Sequence, residues 1–194
     1  MAKPNPADRM PAAETGEPPP RALVIMGVSG SGKSTIATLL GRRLGWPFRD
    51  GDEFHPRANV EKMKSGVPLT DEDRRPWLEA IAAWIDEQRS RGGHAIVTSS
   101  ALKRSYRATV IGDRADVRLV FLKGDMALIE RRLALRRGHF MPPSLLRSQF
   151  DALEEPRADE RPVTVSIEPA PDAICDAILS RLGLERERPE HKPT

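Results

Sequence analysis

With 194 residues, 39% hydrophobic and 30% charged, the chain has the size and composition of one globular domain with its own core, flanked by tails. No run approaches eighteen apolar residues and no apolar h-region opens the N-terminus, which excludes a spanning helix and a secretory signal from the reading. A single cysteine, Cys175, excludes an internal disulfide and a multi-cysteine metal site, and a net charge of +3 fits a solvated surface or an anionic ligand.

Residues 1–20 contain six prolines and almost no bulky apolar side chains, and they read as a disordered leader. RALVIMG (21–27) is a short apolar run ending in glycine, the pattern of a buried strand. A helical pattern follows over 33–44, with Ile36, Leu39, Leu40 and Leu44 on one side. WPFRD (46–50) reads as a second strand and HPRANVEKMKSG as a short helix. Thr70, three residues before Asp73, predicts a capping box, with Pro76 tolerated in the first turn of the helix it opens. That helix carries Trp77, Leu78, Ile81, Trp84 and Ile85 as core. HAIVTSS (94–100), DVRLVFLKG (116–124) and VTVSI (163–167) are the remaining strands, and a helix over 171–182 closes the domain before a charged tail, 185–194. Apolar strands alternating with helices predict an α/β fold, a parallel sheet covered on both faces.

The first strand runs into GVSGSGKST. Gly27, Gly32, Lys33 and Ser34 satisfy G-x-x-x-x-G-K-[ST], the P-loop, between a buried strand and an amphipathic helix as the motif requires. A glycine-rich loop turns successive N–H groups inward, and the helix N-terminus adds partial positive charge, so phosphate oxygens are held there. The nucleotide site is therefore expected over Gly27, Val28, Ser29, Gly30, Ser31, Gly32, Lys33, Ser34 and Thr35. Lys33 is expected to reach the β- and γ-phosphates of ATP, and the Ser34 hydroxyl to hold Mg²⁺.

The second strand ends in RDGDEFHP. Ligands of open α/β sheets sit beyond the carboxyl ends of the strands, so Asp50 and Asp52 fall at the same edge as the P-loop. One carboxylate can face the metal while the other accepts a proton from an attacking hydroxyl.

Four blocks, GVSGSGKST, DGDEFHPRANVEKMKSGVPLTDEDRRPWL, SSALKRSYR and GHFMPPSLLRSQFDALEEP, together resemble the gluconokinase family of small sugar-acid kinases over nearly all of residues 21–170. The resemblance implies phosphorylation of the 6-hydroxyl of D-gluconate by MgATP. It also implies the adenylate and shikimate kinase fold, a five-stranded parallel sheet with a mobile lid, here over about 125–150. The third block departs from the family, which has Cys-Ser where this chain has Ser99–Ser100.

On this reading Asp52 is the base and partner of the acceptor hydroxyl. Asp50 faces Mg²⁺ through water, as the likeness to shikimate kinases implies. His55 either hydrogen-bonds the polyol or caps the helix that follows. A linear polyol ending in a carboxylate needs a guanidinium fork or an ammonium. Arg57, Lys62, Lys103, Arg107 and His139 are the candidates, and a subset of them is expected to touch substrate. Arg131, Arg132, Arg136 and Arg137 form a second basic cluster, in which Arg132 and Arg136 share a helix face. It reads as one wall of the triphosphate site, closing as a lid with GHFMP behind it.

The rivals are another small-molecule kinase on the same fold, such as a shikimate-type or nucleoside-monophosphate kinase, and a P-loop regulatory or RNA-binding protein. The DGDEFHP and GHFMP blocks argue against the first. The second lacks a basic and aromatic platform, aromatic residues being 5% of the chain. Neither a nucleic-acid nor a membrane partner is expected. The location is expected to be cytoplasmic, and a homodimer is left open.

Overall fold

A computed structural model describes residues 18–135 and 143–184. Five strands, β1 (Ala22–Met26), β2 (Phe48–Arg49), β3 (Ala95–Ser99), β4 (Val117–Lys123) and β5 (Val163–Ser166), form one sheet in the order β2-β3-β1-β4-β5. Every neighbouring pair is parallel. The helices are α1 (Lys33–Leu44), α2 (Arg57–Lys64), α3 (Asp71–Ser90), α4 (Arg104–Ile111), α5 (Met126–Leu135), α6 (Pro143–Ala152) and α7 (Pro171–Leu182). α1 packs with α7, and α3 with α4, around the sheet. This is the expected parallel α/β architecture.

The central strands β1, β3 and β4 are mainly apolar because both faces of the sheet are covered. All five residues of β1 and of β3 are buried. From β3 that set includes two polar side chains, Thr98 and Ser99. β2 is shorter than the five residues expected. Pro47 has no N–H to give the ladder, and the chain leaves the sheet at Asp50 to begin a 3-10 turn, Gly51–Phe54. As the edge strand β2 contributes little core, and its value is the point at which it ends. The capping box at Thr70 forms as expected: Thr70 Oγ1 accepts from Asp73 N at 3.2 Å and Asp73 Oδ2 from Thr70 N at 3.0 Å. Trp77 is fully buried, whereas Trp84 is half-buried and packs against Phe54 with ring centroids 5.8 Å apart. No helix among the described residues is long and apolar enough to cross a membrane.

Candidate active site

β1 lies in the middle of the sheet, and the loop 27–32 carries it directly into α1. Gly30 has φ +83°, and a Cβ there would lie 2.9 Å from Ile129 and from Leu133 of α5, so α5 closes on the loop as it could not on any other residue. Val28 and Ser31 are buried, Ser29 and Gly30 half-buried, and Ser34 and Thr35 exposed on the first turn of α1. Ser31 Oγ is buried without a hydrogen-bond partner among the described residues. Lys33 Nζ donates to the carbonyls of Gly27 at 3.0 Å and Val28 at 3.1 Å. Burial lowers its pKa to about 8, against the opposing pull of the carboxylates of Asp52 and Asp50.

Those two carboxylates are held differently. Asp50 caps the 3-10 turn. Its Oδ1 accepts from Asp52 N at 3.2 Å and from Thr98 Oγ1 at 2.9 Å, and its Oδ2 from Ser34 Oγ at 2.7 Å. Burial pushes the Asp50 carboxyl up. The hydrogen bonds from Ser34, Asp52 N and Thr98, with the charge of Lys33, outweigh it and hold Asp50 below its ordinary range. Asp52 is exposed, its carboxylate accepts no hydrogen bond from the described residues, and it acts on Lys33 and His55 through its charge.

The residue between them explains the spacing. Gly51 N donates to Thr98 Oγ1 at 3.0 Å, and Gly51 O accepts from Trp77 Nε1 at 2.7 Å. A Cβ on Gly51 would lie 2.1 Å from the carbonyl oxygen of Thr98. The turn therefore presses its backbone against β3, with Thr98 serving Asp50 and Gly51 at once. Gly51→Ala is expected to push the turn off β3 and part Asp50 from Ser34. Overpacking of this kind costs about 1–3 kcal/mol, occasionally more. Thermal unfolding should show a Tm several degrees lower, with a raised Mg²⁺ requirement in the surviving folded enzyme. An unchanged Tm would mean that the turn can retreat without loss.

His55 stacks on Trp77, with ring centroids 4.5 Å apart and planes 11° from parallel. Burial lowers its pKa, opposed by Asp52 and assisted by Arg74, so the ring is neutral at pH 7. The reading of His55 as a helix cap does not hold. Pro56 occupies the N-cap of α2 with no side-chain cap hydrogen bond, and His55 Nδ1 is buried without a partner among the described residues.

Of the cations expected to meet a carboxylate, four already have one. Arg57, its side chain 94% exposed, pairs with Glu61 at 3.1 Å, Lys62 with Asp73 at 2.7 Å and Lys103 with Asp71 at 2.9 Å. Arg107 is 2% exposed and forks onto Glu160 at 2.6 and 2.9 Å, while its Nη1 donates to the carbonyls of Leu102 and Glu154. Those bonds use most of its donors and tie α4 to the chain after α6, a structural role in place of the substrate contact expected. Arg132, expected in the triphosphate wall, donates to the carbonyl of Ile167 beyond β5. Arg136, Arg137, His139 and the rest of GHFM lie outside the described residues.

One guanidinium in the second block was not singled out from the sequence. Arg74, half-buried in the first turn of α3, sits 5.8 Å from the Tyr106 ring and close enough to His55 to lower its pKa. It has no carboxylate within ion-pair distance among the described residues. Its signal was present in DEDRRPWL, but spacing does not separate it from Arg75 beside it. Thr98 was hidden in the same way inside an apolar strand. No cluster of three or more metal-ligating side chains occurs among the described residues. One hydroxyl and one ionised carboxylate at a phosphate-binding loop suit a magnesium ion that takes its other ligands from phosphates and water.

The family model described as an AAA domain matches residues 23–156. The chain is 49% identical over 166 residues to a gluconokinase of Gluconobacter oxydans, a match covering 86% of this chain and 93% of that one. It is similar to the crystal structure of a gluconokinase from Sinorhizobium meliloti, with TM-score 0.76, 42% identity, and coverage of 85% of this chain and 93% of that one. The shikimate kinase of Aquifex aeolicus shares the fold alone, at TM-score 0.54 and 17% identity over 84% of this chain and 96% of that one.

Proposed function

The chain belongs to the gluconokinase family, and from that membership we propose that it transfers the γ-phosphoryl group of ATP to the 6-hydroxyl of D-gluconate, giving 6-phospho-D-gluconate and ADP. The observation that carries the reading is the contiguity of Ser34, Asp50 and Asp52 at the mouth of the P-loop. The donor-side carboxylate Asp50 and the acceptor carboxylate Asp52 flank Gly51, and Thr98 fixes that turn through its hydrogen bonds with Asp50 and Gly51.

Phosphoryl transfer needs positioning and charge neutralisation more than covalent chemistry. The N–H groups of the loop and of the first turn of α1 bind phosphate oxygens, and Lys33 follows the charge that develops on the transferred group. Ser34 and Asp50 would hold Mg²⁺, which when bound neutralises charge on the β- and γ-phosphates. The carboxylate of Asp52, which accepts no hydrogen bond from the described residues, is free to take the proton of the 6-hydroxyl as the oxygen attacks. His55, neutral and fixed by its stack on Trp77, offers one ring nitrogen to the polyol.

We assign the gluconate carboxylate to Arg74, because it lies beside His55 and, unlike Arg57, Lys62, Lys103 and Arg107, has no carboxylate partner among the described residues. A site built for an anion discriminates against neutral analogues by up to about 10⁴. Arg74→Ala should lower kcat/KM for gluconate on the order of 10–100-fold, the scale of a charge-assisted hydrogen bond, and shrink the preference for gluconate over sorbitol. A variant that keeps the full preference would place the carboxylate elsewhere. The function itself is tested by coupled ADP release with gluconate, other sugar acids, shikimate and nucleoside monophosphates. Turnover with gluconate far above the rest is expected, and preference for shikimate or a nucleotide would overturn the assignment.

A further inference from the structure

The SQF run of the fourth block has no part in the chemistry above, yet its glutamine reaches the phosphate-binding loop. Gln149, half-buried on α6, accepts a hydrogen bond through Oε1 from the backbone N–H of Ser29 at 2.7 Å. Ser29 stands at the apex of the loop, beside the glycine on which α5 closes. The chain just beyond α6 is fastened to the loop between β3 and α4 and to the start of α4. Glu154 N donates to Leu102 O at 3.0 Å, Glu154 O accepts from the buried guanidinium of Arg107 at 2.9 Å, and Glu154 Oε2 accepts from Arg104 N at 2.7 Å. α6 thus reaches from the loop between β3 and α4 to the tip of the P-loop.

We propose that Gln149 is a positioning residue for phosphoryl transfer, holding the apex of the phosphate-binding loop through the Ser29 N–H and tying the shape of that loop to the seating of α6. The side chain suits the task. A backbone N–H in a half-buried loop requires an acceptor. An amide oxygen supplies one without a charge, whereas a carboxylate beside a triphosphate would repel it. The inference rests on the kinase reading only in that the loop binds nucleotide phosphates.

The test is calorimetric binding of MgADP to the full chain, followed by steady-state kinetics. Gln149→Ala should weaken MgADP binding and raise KM for ATP roughly tenfold, the scale of one unsatisfied backbone donor, with KM for gluconate within about twofold of wild type. Gln149→Glu should bind more weakly still at pH 8. Relative to wild type at the same pH, its affinity should recover only as pH falls to about 4, because the protonated acid keeps an acceptor oxygen and loses the charge. Wild-type MgADP affinity in both variants would overturn the proposal. So would an equal loss of both substrates accompanied by a fall in Tm, which marks a packing role. MgADP binding is read without any acceptor, so a wrong acceptor leaves this test intact. Failure of the wild-type protein to bind MgADP would instead strike the kinase reading itself.

Discussion

Replacing Lys33 with alanine is expected to lower kcat by about 10³ or more while leaving circular dichroism unchanged, because the ammonium serves charge on the transferred phosphoryl group and not the core. Its pKa near 8 adds a second signature. In the free enzyme the side chain is a cation below that pH and neutral above it, so kcat/KM for ATP should fall as pH rises through about 8. Saturating ATP favours the cation and should move the fall in kcat to higher pH. The stability effect has the opposite sign. The unfolded chain keeps this proton up to its ordinary pKa of 10.5, whereas the folded chain releases it from about 8. The buried charge therefore opposes folding below pH 8, and the opposition fades between 8 and 10.5. Lys33→Ala should then melt no lower than wild type at pH 7. A variant with near-wild-type kcat, or one that fails to fold, would remove Lys33 from the role given to it.

Asp52→Asn and Asp50→Asn should part company. Asp52→Asn keeps the shape of the side chain and loses the proton acceptor. General-base assistance is worth about 10²–10⁴ in rate, so kcat should fall by that order with MgATP binding little changed. Asp50 accepts three hydrogen bonds, from Ser34, Thr98 and its own turn, and stays ionised among them. Asp50→Asn should raise the Mg²⁺ concentration needed for half-maximal rate, because a carboxylate beside a metal orients its waters and ligands. A magnesium titration of kcat for each variant, with MgATP binding by calorimetry, separates the two. Should Asp52→Asn mainly shift the magnesium dependence and Asp50→Asn mainly abolish kcat, the roles are exchanged.

The fold was legible because it rests on short-range patterns. β1 and β3 are unbroken apolar runs, α1 repeats at helical spacing, and Thr70 with Asp73 announces the start of α3. The P-loop was legible for a similar reason, since it is contiguous in sequence. The acceptor side was not. Whether Arg57, Lys62, Lys103 or Arg107 is available to a ligand depends on Glu61, Asp73, Asp71 and Glu160, and composition does not say which acid each base will meet. Glu160 stands far along the chain from Arg107, so that pairing is a product of the fold. Thr98 was concealed for another reason. A threonine in an apolar strand reads as β-propensity, and its two hydrogen bonds to the turn at Asp50 and Gly51 are visible only once β2 has been laid against β3.

The central place of β1 bears on how the molecule is made. Ala22 pairs with Ala95 on one side and with Val117 on the other, so the strand that leads into the phosphate-binding loop waits for partners synthesised long after it. Closing such intervals costs chain entropy before any contact repays it, and parallel pairing of this kind is slow. A nascent chain released before Lys123 would carry every residue of the loop and none of its shape. It would also expose ALVIM, an uncharged apolar segment able to pair with its own copies, so premature termination is a hazard to solubility as well as a loss of activity.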